Sequence, residues 1–274
     1  MIKLILPMQK IINNFGFVVA QVIGIKYYLL YLFFSLVSFF KIAKTKNLNH
    51  VDFLIGKTDI KKFKVNQKKI VFDCRYTDKN IVEDSFAFGL IREIYIRNCY
   101  LKFIPLDKLL YIENTIDLGS NRGVFSCLST TFSKKIVGVE IELKYQEVFK
   151  KNLELNLFSD YFLETKKIVQ DDEVNPNNSN NFLGIENLFK KHEIKNNCFI
   201  KIDIEGGETS LFRKTDWLNF VDILAMEVHP LFGVPTSEIL EKLKKKNFNL
   251  ITANDALVET SIVEKICFVY AWKN

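Results

Sequence analysis

Aspartate and glutamate are missing altogether from the first fifty residues of this 274-residue chain, where Lys3, Lys10, Lys26, Lys41, Lys44 and Lys46 face no acid. Acids match bases over the rest, so the formal charge of +6 belongs to this leader alone. A domain that grips nucleic acid carries its excess of Lys and Arg on its own surface, because neutralising phosphates supplies most of the affinity. The balance over residues 51–274 therefore argues against a nucleic-acid partner.

Cysteine is sparse and unpatterned. Cys74, Cys99, Cys127, Cys198 and Cys267 contain no C-x-x-C and are odd in number, which excludes a disulfide scaffold and a structural zinc site. Strand-like neighbours ("VFDCRY", "NCFIKI", "KICFVY") mark them as small buried hydrophobes of a reducing compartment. No small-residue cleavage site follows the apolar leader, so a removed secretory signal is not expected. The expected location is cytoplasmic, with attachment to the cytoplasmic face of a membrane left open.

The leader carries one long apolar run, "FGFVVAQVIGIKYYLLYLFFSLVSFF" at residues 15–40. It is long enough to span a bilayer. Lys26 interrupts it, however, and a lysine held near the bilayer centre costs about 2.5–3.5 kcal/mol on insertion scales. A segment lying on the membrane, or core-packing helices, avoids that cost. Flanking lysines on both sides leave its orientation open. The organisation that follows is a hydrophobic basic segment over 1–50, lead-in strands and a helix over 51–110, and a third unit over 111–274.

In the lead-in, "KIVFDCRY" (69–76) alternates like a strand and residues 81–96 have helical spacing. Beyond it, apolar strands are expected near 114–119, 135–141, 162–169, 198–204, 222–228, 248–253 and 265–272. Helical stretches near 123–133, 143–156, 184–192, 207–218 and 236–246 separate the first six. This alternation predicts an α/β fold, a doubly wound, mostly parallel seven-stranded Rossmann-like sheet, with the hydrophobic helical segment in front. Only "ANDALVETSIVEK" joins the last two strands, so the terminal strand is expected to be reversed. The asparagine-rich "VNPNNSNNF" (174–182) reads as a flexible surface loop.

In such sheets a ligand sits beyond the carboxyl ends of the strands, closest to the first strand-to-helix turn. That turn is "TIDLGSNRGVFS" (115–126), which lacks both the third glycine of a nicotinamide site and the lysine of a phosphate loop. Its pattern is D-x-G-x-x-x-G. Gly119 and Gly123 let the backbone approach a ligand, and Asp117 can accept from an ammonium group. Glu140, ending the next strand, has the spacing of an acid that binds ribose hydroxyls. An amino acid joined to an adenosine satisfies both, which describes S-adenosylmethionine.

"TIDLGSNRGVFS", "VGVEIE", "FIKIDIEGGE" and "MEVHP", in this order, with "FDCRYTDKN" upstream, resemble the FkbM family of S-adenosylmethionine-dependent methyltransferases over about residues 70–272. The resemblance implies a methionine site at Asp117, Gly119, Ser120, Asn121 and Gly123, ribose on Glu140, and adenine near Ile168 to Asp171. Arg122 departs from the family pattern, and a cation near a sulfonium is unhelpful, so its side chain is expected to point outward.

Candidates for the chemistry lie at the ends of the fourth and fifth strands. They are Asp203 and Glu205, then Glu227 and His229. His229 has the ordinary pKa best suited to a base near neutrality. Asp203, Glu205 and Glu227 could instead hold a divalent cation on the acceptor's oxygens, and Lys201 or Arg75 could pair with these acids. Glu208 is read as stabilising a helix N-terminus. The resemblance implies O-methylation of a hydroxyl on a small-molecule, sugar-containing or glycolipid-type acceptor. The alternatives are a membrane-tethered, non-catalytic protein of the same fold and a nucleic-acid methyltransferase.

Overall fold

The computed structural model describes residues 16, 18–57, 63–65, 69–72, 87–229, 234–263 and 265–274. Arg75, Cys74, the rest of "FDCRYTDKN" beyond Phe72 and the start of the expected 81–96 helix lie outside them. Among the described residues four short helices come first, α1 (Val18–Ile23), α2 (Ile25–Val37), α3 (Phe39–Thr45) and α4 (Asn49–Gly56). The axes of α2 and α3 are bent by 71°, and among the described residues no single helix is long and apolar enough to cross a membrane. An antiparallel hairpin of β1 (Phe63–Val65) and β2 (Ile70–Phe72) follows. Then come α5 (Ala87–Ile91), continued by a π-helical turn at Arg92–Ile96, and α6 (Leu106–Leu109).

The remaining chain alternates as its hydropathy pattern predicts. In order it forms β3 (Asn114–Leu118), α7 (Val124–Ser129), β4 (Lys135–Val139), α8 (Gln146–Leu155), β5 (Tyr161–Glu164), β6 (Lys167–Val169) and β7 (Phe182–Gly184). There follow α9 (Ile185–Lys191), β8 (Cys198–Ile202), α10 (Glu208–Leu211), β9 (Ile223–Val228), α11 (Thr236–Lys245), β10 (Asn249–Asn254) and β11 (Cys267–Trp272). Seven strands make the central sheet in the order β10-β11-β9-β8-β3-β4-β5. Neighbours from β9 through β5 are parallel, while β11 runs antiparallel to both β9 and β10. The doubly wound sheet with a reversed last strand is therefore the observed fold.

Both sheet faces are buried, and the strands show it by alternation. Phe199, Ile223, Ala225, Phe268 and Tyr270 enter one core with α7 and α8. Ile200, Ile202, Leu224, Met226 and Val269 enter the other with α9 and α11. Near-continuous apolar runs are what two covered faces require.

Two local readings differ. The strand expected over 162–169 breaks after Glu164, so that β5 joins the main sheet and β6 pairs with β7. The helix expected over 207–218 stops at Leu211, whose carbonyl accepts from the side chains of Trp217 (3.0 Å) and Gln170 instead of continuing a helical ladder. The asparagine-rich loop lies on the surface, as expected, and is closed by its own side chains, with Asn175 N donating to Asn178 Oδ1 at 2.8 Å and Asn177 N to Asn175 Oδ1 at 3.0 Å.

The leader packs on the body. Val19, Ile23, Tyr31, Leu48, Val51 and Ile55 belong to the same core as β8 and β11. The Tyr31 ring lies 6.0 Å from that of Phe88, and Ser35 Oγ donates to Tyr31 O. Asp52 accepts from Arg92 Nε at 3.2 Å and Nη2 at 2.9 Å, both residues being buried. Burial pushes the Asp52 carboxyl up and the guanidinium opposes it. Removing one partner of such a pair strands the other charge, so Asp52→Ala should cost about 3–5 kcal/mol in urea unfolding. Asp52→Leu combined with Arg92→Met should recover most of that loss.

Candidate active site

The turn after β3 is held by backbone and by Glu140. Gly119 N and Ser120 N donate to Val139 O at 2.9 and 3.0 Å. Glu140 accepts from Asn121 N and from Glu142 N, each at 2.8 Å. Burial pushes the Glu140 carboxyl up, against those two amides. Gly119 has φ of 72°, and a Cβ there would lie 1.7 Å from Asp203 O, so this glycine is demanded by the closeness of β3 and β8. At Gly123, φ 73°, a Cβ would meet the Phe149 ring at 2.8 Å. Both glycines thus answer to internal packing before any ligand.

Asp117 is placed differently from the sequence expectation. Its carboxylate is fully buried beneath the turn, accepting from Ser126 Oγ at 2.7 Å and pairing with Lys201 Nζ at 3.1 Å. The same ammonium donates to Gly119 O at 2.8 Å and Leu118 O at 3.2 Å, and lies 3.9 Å from Asp203. Burial would lower the Lys201 pKa, but Asp117 and Asp203 outweigh it and hold the lysine above its ordinary value. A side chain of the protein therefore fills the position in which Asp117 was expected to meet a ligand's amine.

Arg122 and Asp171 also need correcting. Arg122 turns inward: it is fully buried, with Nη1 3.0 Å from Asn121 Oδ1 and its guanidinium 5.1 Å from the centre of the Tyr145 ring. Asp171 accepts from Glu186 N at 2.7 Å and Asn187 N at 3.0 Å, so it caps α9. Its neighbours Ile168 and Val169, however, line the cavity described next.

That cavity has a volume of about 1020 Å³ and opens beyond the carboxyl ends of β3, β4, β8 and β9. One part is walled by Gly119, Ser120, Asn121, Glu140, Ile168 and Val169, another by Tyr100, Asp203, Glu205, Glu227 and His229. Ser120 Oγ is buried and has no hydrogen-bond partner among the described residues. Tyr100, Glu93 and Arg97 were not legible as wall residues. They come from the π-helical turn and the irregular stretch after it, a feature that recurs at functional sites but has no periodic signature.

The acid cluster is built around two kinked residues. Glu205 (φ 52°) and Gly206 (φ 101°) turn the chain after β8. Glu208 is fully buried and accepts from Ile204 N and Gly206 N, each at 2.9 Å, so it ties this loop down as well as starting α10. His229 Nδ1 lies 3.4 Å from Glu208 Oε1, and its Nε2 lies 3.7 Å from Glu205 and 4.0 Å from Glu227. Asp203 accepts from Tyr100 OH at 2.6 Å.

Hydrogen bonding to Glu208 pushes the His229 pKa up to about 9 against desolvation. Burial raises the Glu208 carboxyl, but the imidazole and the loop amides hold it below the usual range. Burial and the nearby Asp203 push Glu227 up. One atom from each of Asp203, Glu205 and His229 converges within 4.8 Å, so His229, rather than Glu227, completes the set that could hold a cation.

No family model matches the chain, and no curated protein matches it. Among solved structures it is similar to an rRNA methylase from Streptococcus thermophilus, at 13% identity over 61% of this chain and 92% of that one, TM-score 0.40. It is also similar to magnesium protoporphyrin IX methyltransferase from Synechocystis with bound SAH, at 12% identity over 61% and 77%, TM-score 0.40. A third is precorrin-6y C5,15-methyltransferase from Geobacter metallireducens, at 12% identity over 62% and 85%, TM-score 0.37.

Glu208→Gln removes the charge that holds the proton on His229. The imidazole midpoint should fall from about 9 toward 6.5. Proton NMR can follow it because the chain has three histidines. A raised folded-state pKa stabilises the native state fully below about pH 6.5 and loses that contribution as pH rises through about 9. The variant should flatten this alkaline decline.

Proposed function

We propose that this chain is an S-adenosylmethionine-dependent methyltransferase that O-methylates a hydroxyl of a sugar-containing or glycolipid-type acceptor. The observation that carries the reading is the cavity at the strand ends, which joins a glycine turn bearing the unpartnered Ser120 hydroxyl to an acid-and-imidazole cluster. Ser120 and the turn around Gly119 would hold the methionine moiety, Glu140 the ribose, and Ile168 and Val169 the base. The bound cofactor supplies an electrophilic methyl group. The resemblance to the FkbM family, carried by the glycine turn, Glu140 and "KIDIEGGE", supports O-methylation and a glycan acceptor.

The chain's own residues then have two tasks. Alignment of the acceptor against the methyl group provides much of the acceleration in such displacements. Tyr100 and Asp203 present a hydroxyl and a carboxylate 2.6 Å apart on the acceptor wall. His229, once it has given up its proton, takes the acceptor hydroxyl's proton. Glu205, 3.7 Å away, stabilises the resulting imidazolium. A divalent cation on Asp203, Glu205 and His229 is the competing use of the same groups.

One observation favours a second reading, a tethered protein that keeps the fold without transferring anything. Lys201 already occupies Asp117 and the Gly119 carbonyl. Titration calorimetry of the full chain with S-adenosylmethionine separates these outcomes when paired with mass spectrometry of glycans from cells with and without the protein. Saturable binding and a one-methyl difference are expected. Ser120→Ala should weaken binding about three- to tenfold without altering stability, and Glu140→Ala should weaken it at least tenfold, as lost neutral and charged hydrogen bonds do. Binding without a methylated product would favour the second reading, and a folded chain that binds no cofactor would remove the first.

A further inference from the structure

Helices α2 and α3 are apolar on the side turned away from the body as well as on the side packed against it. Along α2, Tyr31 and Ser35, followed by Ser38 at the bend, are buried against the body, with Tyr27, Tyr28 and Phe34 half-buried beside them. Ile25, Leu29, Phe33 and Leu36, spaced by four, four and three residues, form one helical stripe facing outward. Phe39 and Phe40 extend it beyond the bend. Each of these six side chains is more than half exposed, and Phe40 reaches 85%. An ordinary globular helix carries polar and charged residues on this outer face. Contiguous exposed apolar surface of this kind marks an interaction site.

Charge says what covers it. Lys26, Lys41, Lys44 and Lys46 are exposed along the same helices. The first acidic residue in the chain is Asp52, and that carboxylate is buried on Arg92. A second copy of the chain would bring this uniformly basic face onto itself, whereas anionic headgroups would neutralise it. Neither helix crosses alone: the 13 residues of α2 reach about 20 Å of a hydrocarbon core about 30 Å thick, and α3 leaves at 71°, a bend that suits a segment lying along the interface better than one crossing it.

We propose that the outward face of α2 and α3 docks on an anionic lipid bilayer and lies in the plane of the headgroups. Phe33, Leu36 and Phe40 enter the acyl boundary, and Lys41 and Lys44 meet lipid phosphates, the arrangement of interfacial amphipathic helices. The leader is anchored to the body through Asp52 and Arg92, and Arg92 opens the π-helical turn whose Glu93 and Ile94 line the cavity. The docked surface is therefore one helical layer away from the site.

Flotation of the full chain with vesicles tests this without reference to methyl transfer. Vesicles of mixed phosphatidylglycerol and phosphatidylcholine should carry the protein, and phosphatidylcholine alone, or high salt, should lower the bound fraction at least about tenfold. Phe33→Asp with Phe40→Asp should lower it at least about tenfold on anionic vesicles. Lys41→Glu with Lys44→Glu should do so too while leaving the apolar stripe and circular dichroism intact, so the proposal stays testable if the first variant misfolds. Absence from the anionic vesicle fraction, or flotation that neither double variant lowers, would overturn it. So would a concentration-dependent dimer that Phe33→Asp with Phe40→Asp converts to monomer in a chain that binds no vesicles.

Discussion

A single buried ammonium holds the site end of the sheet together. Lys201 reaches from β8 to the carbonyls of Leu118 and Gly119 and pairs with Asp117, while Asp203 stands nearby on its own strand's end. The buried Asp117 carboxylate and the Leu118 and Gly119 carbonyls share one cation, with Asp203 3.9 Å away. Removing it would leave Asp117 charged in a fully buried position, the costliest kind of defect in a core. The clamp sits where β3 and β8, paired along their whole length, come close enough to force glycine at position 119.

From that clamp the polar groups run outward in order. Asp203 is oriented by Tyr100, whose ring also faces the lysine at 5.3 Å. Glu208 closes the Glu205 loop and holds the proton on His229. The second half of the site is thus organised by a buried carboxylate that does not itself line the cavity. On the other side, Glu140 closes the Asn121 turn with two amide hydrogen bonds and faces the cavity. Two carboxylates, one on each side of the cavity, each tie down a loop with two backbone amides.

Much of the fold was legible because it is local. The apolar runs ending at Leu118, Val139, Ile202 and Val228 and the helices between them follow from hydropathy alone, and "ANDALVETSIVEK" is too short and polar for a crossover helix. Glu140, Asp203, Glu205 and His229 were legible as strand-end residues, and they do line one cavity. What stayed hidden depends on partners distant in sequence. Asp117 looks ligand-facing until Lys201, 84 positions later, is paired with it. Asp171 caps a helix that begins beyond a polar loop, and Arg122 finds the face of Tyr145. In the leader, nearly uniform hydropathy conceals which side is out; only the packing of Tyr31 and Ser35 against the body reveals it.

The most direct test of this account is a double-mutant cycle on Lys201 and Asp117, read by urea unfolding. Lys201→Met alone should cost about 3–5 kcal/mol by stranding the buried carboxylate, and adding Asp117→Leu should recover most of it, as replacement of a buried ion pair by apolar groups does. If Lys201→Met costs less than about 1 kcal/mol, or the two losses simply add, the ammonium does not organise the strand ends and the account of the site built on it is wrong.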